Sequence, residues 1–235
     1  EVKRYLEKYN DEYIVIKCGG SVLVDKNLFD IFIKDISVLN KIGFIPIIVH
    51  GGGKRISNKL NEKGIKSQFI KGLRITDEET IKVVEEVLID FNKEIIDALE
   101  KQACNSQTIN SKFNNIITVV QDHVDLGFVG TPTEINKTVI DKIVDEKKVP
   151  VIAPLGLDES NQTYNINADT AAGSIAKKIE ARRLIIMSDV EGVLDNNKKL
   201  IPEINSQSIK DLIDNDTVTG GMIPKINNCL DVASN

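Results

Sequence analysis

Two glycine-rich turns each follow a short apolar run, and their residue types suit the binding of an anion. Residues 13–17 (YIVIK) run into CGGS (18–21), and residues 44–49 (FIPIIV) run into HGGG (50–53). Glycines at a strand-to-helix turn leave backbone N–H groups accessible, and a helix N-terminus attracts negative charge. A tight turn alone would explain one such pair. Two of them on neighbouring strands favour an anion-binding cradle.

Neither turn carries one of the two common nucleotide-binding motifs. A P-loop requires the pattern G-x-x-x-x-G-K-S/T, which neither turn supplies. The dinucleotide-binding fingerprint needs a third glycine at the position of Ile56. A nucleotide site of either common type is therefore excluded at these turns.

Three further segments combine polar residues with the end of a predicted strand or the start of a predicted helix. YNINAD (164–169) carries polar side chains at three alternating positions, which is more than an N-cap requires. RLIIMS (183–188) leads into DVEGVL (189–194), and TVTGGMIPK (217–225) places two glycines before a helix that carries Lys225. A lone lysine is usually a solvated surface residue, so Lys225 predicts little by itself.

The elements that must position these segments follow from the alternation of strand and helix patterns. Amphipathic stretches separate five β-branched runs, which are predicted to be buried strands: 13–17, 44–49, 115–120, 149–154 and 183–188. This alternation predicts an α/β fold with a parallel sheet covered on both faces. Ligands of such sheets bind beyond the carboxyl ends of the strands, so we expect functional residues just after each run. Segments 67–76 and 123–136 are predicted to be hairpins or loops.

Composition limits the classes of partner and compartment. A net charge of −5 argues against a nucleic-acid-binding surface. The three cysteines are scattered and lack a CxxC spacing, which disfavours a disulfide framework and a zinc site and favours a reducing compartment. No apolar run reaches membrane-spanning length and no signal-peptide pattern opens the chain. We therefore expect a cytoplasmic protein without nucleic-acid or membrane partners.

The order of the motifs identifies a family. The chain contains, in sequence, IKCGGS, IVHGGGKRI, GLRIT, DLGFVGTPTEIN, PVIAPLG, YNINADTAAGSIA, MSDVEGVLD and TGGMIPKI. Each is weak alone, but the ordered set resembles the amino-acid kinase superfamily, and within it the N-acetylglutamate kinases of arginine biosynthesis. The resemblance implies an open αβα sandwich with a mainly parallel central sheet. It divides the chain into an N-terminal helix (1–12), an acid-substrate lobe (13–158) and a nucleotide-binding lobe (159–235).

The resemblance also implies an activity and a role for individual residues. The γ-phosphoryl group of ATP would pass to the side-chain carboxylate of N-acetyl-L-glutamate, with Mg²⁺ held mainly by the phosphates and not by protein ligands. The catalytic residues would be Lys17, Lys225 and Asp169. The acid would be bound by Gly52, Gly53, Arg74 and Asn165. The nucleotide site would be lined by Gly19, Gly20, Asp189, Val190, Gly192, Val193, Leu194, Thr217, Val218 and Thr219.

The chemistry of this reaction suits those residue types. A side-chain carboxylate has a pKa of about 4, so it is ionised at neutral pH and needs no general base. The obstacle is the repulsion between the carboxylate and the polyphosphate, which lysines, Mg²⁺ and glycine N–H groups reduce. A carboxylate between two lysines keeps both protonated and aimed. The planar guanidinium of Arg74 can bind a carboxylate with two hydrogen bonds.

The chain departs from the family pattern at two places. Where relatives have a glycine-rich segment, residues 108–115 read TINSKFNN, which predicts a different local conformation there. The sequence also stops within the helix that follows Lys225, whereas relatives continue with a glycine turn and a strand. We therefore expect the last strand and helix of the nucleotide lobe to be missing from this chain, which would leave a sheet edge open.

Other functions remain open at this point. A sister kinase could act on aspartate, glutamate or an aminoadipate derivative, and the aminoadipate type is the hardest to exclude. A non-catalytic regulator that binds ATP or an amino acid would not need both Lys17 and Lys225. A metabolite-binding domain with purely structural glycines fits the ordered motif set least well.

The first ten residues carry an apolar stripe of their own. Val2, Tyr5, Leu6 and Tyr9 would share one face of a short helix. This face could pack on its own subunit. The resemblance instead implies that such a helix interlaces with that of a neighbour, links dimers into a hexamer and accompanies feedback inhibition by L-arginine.

Overall fold

The structure, a computed structural model, describes residues 11–195, 197–215, 217–218, 222, 225–226 and 229–230. The apolar stripe predicted within residues 1–10 lies outside the described residues, as does Thr219. The described chain contains eleven strands: β1 Tyr13–Cys18, β2 Ile45–His50, β3 Phe69–Ile70, β4 Leu73–Arg74, β5 Ser106–Ile109, β6 Ile117–Gln121, β7 Gly130–Ile135, β8 Val149–Ile152, β9 Leu155–Leu157, β10 Thr163–Asn165 and β11 Arg183–Ile186.

Six α-helices accompany these strands within the described residues: α1 Lys26–Lys41, α2 Gly53–Glu62, α3 Glu78–Lys101, α4 Lys137–Asp145, α5 Ala168–Lys178 and α6 Ser206–Asp214. Short 3₁₀ helices span Gly20–Leu23 and Val124–Leu126. None of the helices in this part of the chain combines the length and apolarity that a membrane crossing requires.

A parallel five-stranded sheet forms the centre of the fold, in the order β11-β1-β2-β8-β5. Strands β1 and β2 are paired along their whole length, and Cys18 lies opposite His50 at their carboxyl ends. The two glycine-rich turns therefore leave the sheet side by side, as the sequence predicts. The predicted α/β fold with a mainly parallel sheet is confirmed.

Helices cover both faces of this sheet because the side chains of each strand alternate between them. On one face, Ile14 and Ile16 of β1 pack with residues of α1 and α3. On the other face, Val15 packs with residues of α4 and α5. Burial of each such aliphatic side chain contributes about 1.5–3 kcal/mol. The result is the open αβα sandwich, with the two glycine-rich turns at the carboxyl ends of β1 and β2.

The predicted strand at 115–120 is a strand, but it does not belong to the parallel sheet. It forms β6 of a second, four-stranded sheet with the order β10-β9-β6-β7, where β6 pairs antiparallel with β7. Val120 is 54% exposed, so β6 buries only part of its surface. Its apolar run therefore reflects one covered face and not the two covered faces of a central strand. The more polar β5 takes the edge of the parallel sheet next to β8.

Other segments match the sequence prediction to different degrees. Residues 67–76 contain the predicted hairpin, made of β3 and β4. Residues 123–136, predicted to be a hairpin or loop, contain a short 3₁₀ helix followed by β7, which is one arm of the antiparallel β6–β7 pair. Strand β11, predicted as buried, is half-exposed, with Ile185 at 44%, since β1 is its one neighbour among the described strands. The division expected at residue 158 falls between β9 and β10, which pair with each other.

Candidate active site

The second glycine turn forms the floor of the site. The amide of Gly51 donates to the carbonyl oxygen of Cys18 at 2.8 Å, which fastens the turn to β1. Helix α2 begins at Gly53 with Gly52 as its cap, and within the described residues no acceptor faces the amides of Gly52 and Gly53. Free N–H groups at a helix start attract an anion.

The glycines of this turn differ in what surrounds them. A Cβ on Gly52 would lie 2.6 Å from Cδ2 of Leu88, so α3 packs directly against its backbone. A Cβ on Gly53 would meet no atom within 4 Å. Gly52 is therefore needed for packing behind the turn, while Gly53 borders open space in front of it.

A cavity of about 290 Å³ lies in front of this turn, at the carboxyl ends of β1 and β2. It is bordered by both glycine turns, by β4 and by the start of α5. Eight residues predicted to be functional line it together: Lys17, Gly19, Gly20, Gly52, Gly53, Arg74, Asn165 and Asp169. Asn167, from the same segment as Asn165 and Asp169, lines it as well. All the residues expected to bind the acid thus share one space with two of the three expected catalytic residues.

Asp169 lies between the two lysines that the sequence singled out. Lys17 Nζ is 3.0 Å from Oδ1 of Asp169, and Lys225 Nζ donates a hydrogen bond to Oδ2. Asp169 stands in the first turn of α5, which begins after Asn167; the side chain of Asn167 caps the helix by accepting from the amides of Asp169 and Thr170. The cap therefore fixes the backbone that presents the carboxylate.

The two lysines determine the charge state of this carboxylate. Burial by itself would raise the pKa of Asp169, but the positive charge of Lys17 and the hydrogen bond from Lys225 outweigh that effect and lower the pKa below its ordinary value. Asp169 is therefore ionised at neutral pH. Two cations and one anion leave a net positive charge where a polyphosphate and a carboxylate would meet.

Glycine is required beside Lys17 for a steric reason. A Cβ on Gly19 would lie 2.4 Å from Lys17 Nζ, so the ammonium group lies directly over Gly19. Gly20 adopts φ = +63°, and a Cβ there would lie 2.2 Å from Oδ1 of Asp189. The first turn therefore makes room for Lys17 and for the carboxylate of Asp189.

Arg74 is almost fully buried at the cavity wall, and its guanidinium is held on several sides. It donates to the hydroxyl oxygens of Ser67 and Ser57 and to the carbonyl oxygen of Gly53, the last at 3.0 Å. Its carbon Cζ lies 4.8 Å from the centre of the Phe69 ring. Burial lowers the pKa of Arg74 from its ordinary value. A braced guanidinium of this kind is prepared to bind a carboxylate.

Asn165 is connected to the same wall through a buried threonine. Its Nδ2 donates to Oγ1 of Thr76 at 3.2 Å, and Thr76 Oγ1 donates to the carbonyl oxygen of Arg74 at 2.9 Å. The backbone amide of Asn165 donates to the carbonyl oxygen of Phe128. These bonds orient the amide side chain toward the strand that carries Arg74.

A second cavity, of about 400 Å³, lies next to β11 and the C-terminal residues. Of the residues expected to bind nucleotide, it is lined by Val190, Gly192 and Val193. Lys225 also lines it, so the Lys225–Asp169–Lys17 cluster connects the two cavities. This arrangement suits the transfer of a charged group from one cavity to the other.

The other predicted nucleotide residues lie elsewhere. Gly19 and Gly20 border the first cavity. Leu194 forms a bridge with Leu200, and Val218 is buried in a small core with Ile209 and Ile226. The backbone amide of Thr217 donates a hydrogen bond to Oδ1 of Asn215. Oδ2 of Asp189 lies 3.4 Å from Nζ of Lys54. A nucleotide-binding role of these residues stays a prediction.

Several residues that shape the two cavities were not singled out in the sequence. Lys54 lines the first cavity, and its position directly after three glycines was an available signal. Ser57, Ser67 and Thr76 brace Arg74 and Asn165, and no local pattern distinguishes them from ordinary polar residues. The second cavity is also lined by Ser188, Glu191, Ile201, Pro202 and Ile204.

The atypical segment 108–115 is tied to the rest of the fold by a carboxylate. Glu85 of α3 accepts from the hydroxyl groups of Ser111 and Thr163 and lies 3.1 Å from Lys112 Nζ. Asn110 closes a turn by accepting from the amides of Lys112 and Phe113. The segment thus has a defined turn attached to α3. Within the residues that the structure describes, no group of three His, Cys, Asp or Glu side chains could hold a metal ion.

Known proteins resemble this chain over almost its whole length. A model of the amino acid kinase family matches residues 12–235. A protein of Pelagibacter ubique (strain HTCC1062) named acetylglutamate kinase is 68% identical over 235 residues, which are 100% of this chain and 82% of that protein. One of Campylobacter fetus subsp. fetus (strain 82-40) with the same name is 43% identical over 229 residues, covering 97% of this chain and 82% of that protein.

A solved structure shares the fold as well. The crystal structure of smu.665 from Streptococcus mutans UA159 is 31% identical and superimposes with a TM-score of 0.84. The superposition covers 94% of this chain and 90% of that chain.

Proposed function

The chain belongs to the amino acid kinase family, and from this premise we propose that it is an acetylglutamate kinase, which transfers the γ-phosphoryl group of ATP to the side-chain carboxylate of N-acetyl-L-glutamate in arginine biosynthesis. Relatives that carry this name match it at 68% and 43% identity over nearly its full length. The observation that carries the proposal is the ion cluster of Lys17, Asp169 and Lys225, which connects two cavities.

The first cavity supplies the groups that the acid needs. N-acetylglutamate carries two carboxylates and one amide, and the cavity offers the guanidinium of Arg74, the amide of Asn165 and the free N–H groups of Gly52 and Gly53. We assign Arg74 and Asn165 to the α-carboxylate and the acetylamino group. The glycine amides at the start of α2 would bind the carboxylate that reacts.

The second cavity and its surroundings would hold ATP as its magnesium complex. Val190, Gly192 and Val193 line it, and the other residues of 189–194 and 217–219 adjoin it in sequence. Mg²⁺ would enter as part of the substrate, held mainly by the phosphates. The positive charge of the ion supports the same neutralisation that the lysines provide.

The transfer itself needs positioning and charge, not proton chemistry. A carboxylate oxygen of the acid forms a bond to the γ-phosphorus while the bond from that phosphorus to the β–γ bridging oxygen breaks, giving ADP and an acyl phosphate. Lys17 and Lys225 stabilise the charge that spreads over the transferring group. Asp169 holds both ammonium groups in place and does not itself react.

Trapping of the product tests the proposal directly. Incubation with ATP-Mg, N-acetyl-L-glutamate and hydroxylamine should give a hydroxamate together with ADP, because an acyl phosphate reacts with this nucleophile. The same assay is run with aspartate, glutamate and an N-acylated aminoadipate. A hydroxamate from one of those acids but not from N-acetylglutamate would reassign the substrate. ATP binding without product from any acid would favour the non-catalytic regulator.

The assembly and regulation of the protein rest on the family resemblance alone. We propose a homo-oligomer, built from dimers that the N-terminal helix links into a hexamer, with L-arginine as a feedback inhibitor. The division into an acid lobe (13–158) and a nucleotide lobe (159–235) belongs to the same proposal, with the paired strands β9 and β10 joining the lobes. A cytoplasmic location is proposed on the ground of the biosynthetic role.

A further inference from the structure

His50 is the first residue of the HGGG turn, and it is completely buried. Its ring points away from the cavity into the space between the sheet and α3, where it meets the ring of Phe91 edge to face, with 5.1 Å between the ring centres. The reaction described above gives this histidine no role. A buried histidine in a core needs partners for both ring nitrogens, and here both have them.

The partners of the ring identify which nitrogen carries the proton. Nδ1 lies 3.1 Å from the carbonyl oxygen of Gly51, which can only accept, so Nδ1 must be the donor. Nε2 lies 3.2 Å from Nδ2 of Asn92, and this amide nitrogen can only donate, so Nε2 must be the acceptor. The ring is therefore the neutral tautomer with its proton on Nδ1.

A chain of buried and partly buried hydrogen bonds fixes the orientation of Asn92. Its Nδ2 also donates to the carbonyl oxygen of Val151 at 2.9 Å, and its Oδ1 accepts from the hydroxyl group of Thr108. Oγ1 of Thr108 in turn accepts from Nδ2 of Asn110 at 3.1 Å. Every polar atom of Asn92 is used, so the amide cannot rotate by 180° without losing these bonds.

The electrostatic surroundings favour the same neutral state. Burial lowers the pKa of His50 to about 4, the bond to Gly51 opposes this, and the charge of Arg55 adds to it. A second titratable neighbour is Cys18 of β1, which lies opposite His50 of β2. Burial raises the pKa of the Cys18 thiol to about 12. Neither neighbour supplies a negative charge that would stabilise a protonated ring.

The bond from His50 to Gly51 has a consequence for the next residue. In a trans peptide, the C=O of one residue and the N–H of the next point in opposite directions. The carbonyl of Gly51 is held toward His50 on the core side, while the amide of Gly51 is bound to Cys18. The amide of Gly52 must then point away from the core, and Gly52 lines the cavity.

We propose that His50 is a positioning residue: held as the Nδ1–H tautomer by Asn92, it fixes the Gly51–Gly52 peptide so that the Gly52 amide points at the carboxylate bound in the first cavity. The proposal rests on the proposed function for the identity of that carboxylate. It explains why a polar network of residues from β2, α3 and β5 ends at the glycine turn. An apolar side chain would fill the same space but would leave the peptide free to rotate.

Two substitutions of similar size separate positioning from packing. An asparagine at this position has its amide nitrogen as many bonds from Cα as Nδ1, so His50→Asn can keep the donor to Gly51. A glutamine has its amide group at the distance of Nε2, so His50→Gln can keep the contact to Asn92 and fills more of the space. We expect His50→Gln to raise the KM for the acid about tenfold, which is the loss of one hydrogen bond, with the KM for ATP little changed.

The expected order of the two variants is the decisive result. His50→Asn should keep the KM for the acid close to that of the native chain, although its smaller side chain makes it the less stable of the two in urea. A purely structural role predicts the reverse order, with His50→Gln closer to native in both measurements. Equal KM values for the two variants would overturn the proposal. His123→Gln, at the exposed second histidine, is the matched control and should leave both KM values unchanged.

Spectroscopy of the native chain tests the tautomer without any variant or turnover. The chain contains two histidines, so ¹⁵N-labelled imidazole correlations give two separable sets of signals. The signals of His50 are those that disappear in a His50→Asn sample and remain in a His123→Gln sample. We expect these signals to show the proton on Nδ1. A proton on Nε2, or on both nitrogens at neutral pH, would overturn the proposal. A native chain that showed the Nδ1–H tautomer but phosphorylated no acid would count against the proposed function alone.

Discussion

At the scale of single residues, the site depends on one buried carboxylate and the cations around it. Asp169 is almost completely buried, and ion pairs with Lys17 and Lys225 compensate its charge. Removal of one partner from such a cluster leaves a charge less well compensated, which is costly in a buried place. The same cations would meet the transferring phosphoryl group, so their loss should affect the rate more than the binding of either substrate.

We expect Lys17→Ala and Lys225→Ala each to lower kcat by about a hundredfold or more, since each ammonium stabilises charge that develops during transfer. The measurement is the rate of ADP release at saturating acid and ATP, with urea unfolding as a check of the fold. Lys82→Ala, an exposed lysine paired with Glu78, is the control and should leave kcat unchanged. A variant at position 17 or 225 that kept its native kcat would remove that lysine from the mechanism.

Arg74→Ala should act on the acid alone. We expect the KM for N-acetylglutamate to rise about tenfold or more, the loss of a charge-assisted hydrogen bond, while the KM for ATP stays nearly constant. Arg74→Lys keeps the charge without the planar fork and should recover only part of the loss. Initial rates over a grid of both substrates measure this. An unchanged acid KM in the alanine variant would show that the acid binds elsewhere.

His50 should make the stability of the fold sensitive to pH. Its pKa is about 4 in the folded chain and near 6.5 in the unfolded chain, so the folded state binds fewer protons between these values. Stability contributed by the neutral ring is therefore present above pH 6.5 and is lost as the pH falls toward 4. From pH 7.5 to pH 5 we expect a loss of about 2 kcal/mol from this group.

Urea unfolding at the two pH values measures the loss, and comparison with His50→Asn isolates it. The variant should lack this part of the pH dependence, while the contributions of the carboxylates cancel in the comparison. An identical pH dependence in both chains would mean that His50 is not buried as a neutral ring.

At the scale of elements, the start of α5 connects local structure to chemistry. Asn167 caps this helix, and Asp169 follows within its first turn. Asp25 caps α1 in the same manner, by accepting from the amides of Asn27 and Leu28, but it lies at a helix without a predicted catalytic residue. The two caps are thus equivalent in hydrogen bonding and different in what they position.

This difference gives a matched pair of variants. Asn167→Ala and Asp25→Ala should each destabilise the fold by about 1 kcal/mol, the usual contribution of an N-cap. Only Asn167→Ala should also lower kcat, because it loosens the backbone that carries Asp169. Urea unfolding and ADP release measure the two effects. A native kcat in Asn167→Ala would mean that the ion pairs alone hold Asp169 in place.

At the scale of the whole molecule, one edge of the parallel sheet collects the functional groups. The carboxyl ends of β1 and β2 open into the first cavity, and the segment after β11 lines the second. The residues that line both cavities belong to the part of the chain after Asp11. The role that we propose for the N-terminal residues is in assembly.

Deletion of residues 1–10 tests that role. If the N-terminal helix links dimers, light scattering should give a smaller mass for the shortened chain than for the chain with these residues. ADP release should be retained, because the described site residues all follow Asp11, and this serves as the control for folding. An equal mass for the two chains would indicate that the predicted apolar stripe packs on its own subunit.

Local patterns in the sequence determined much of the scaffold. The five apolar runs are strands, the period of the amphipathic stretches marks helices, and the glycine turns follow β1 and β2 as expected. Because parallel strands end at the same sheet edge, the sequence also predicted that the two glycine turns lie side by side, while the other groups of the first cavity were expected from the family resemblance. These features depend on the residue types within one short segment, which is why they could be read without the structure.

The tertiary structure decided what depends on contacts between distant segments. The side chains of Asp169 and Lys225 meet across 56 residues, and those of His50 and Asn92 across 42. Neither contact follows from the residues near either partner; the first was expected from the family resemblance, and the second was not expected. The sequence also did not show which sheet β6 joins, because a short apolar run such as 115–120 fits a strand with one covered face as well as a strand with two. Which partner a side chain finds is set by how strands pair and helices pack over the whole chain, and that arrangement exists only once the fold has formed.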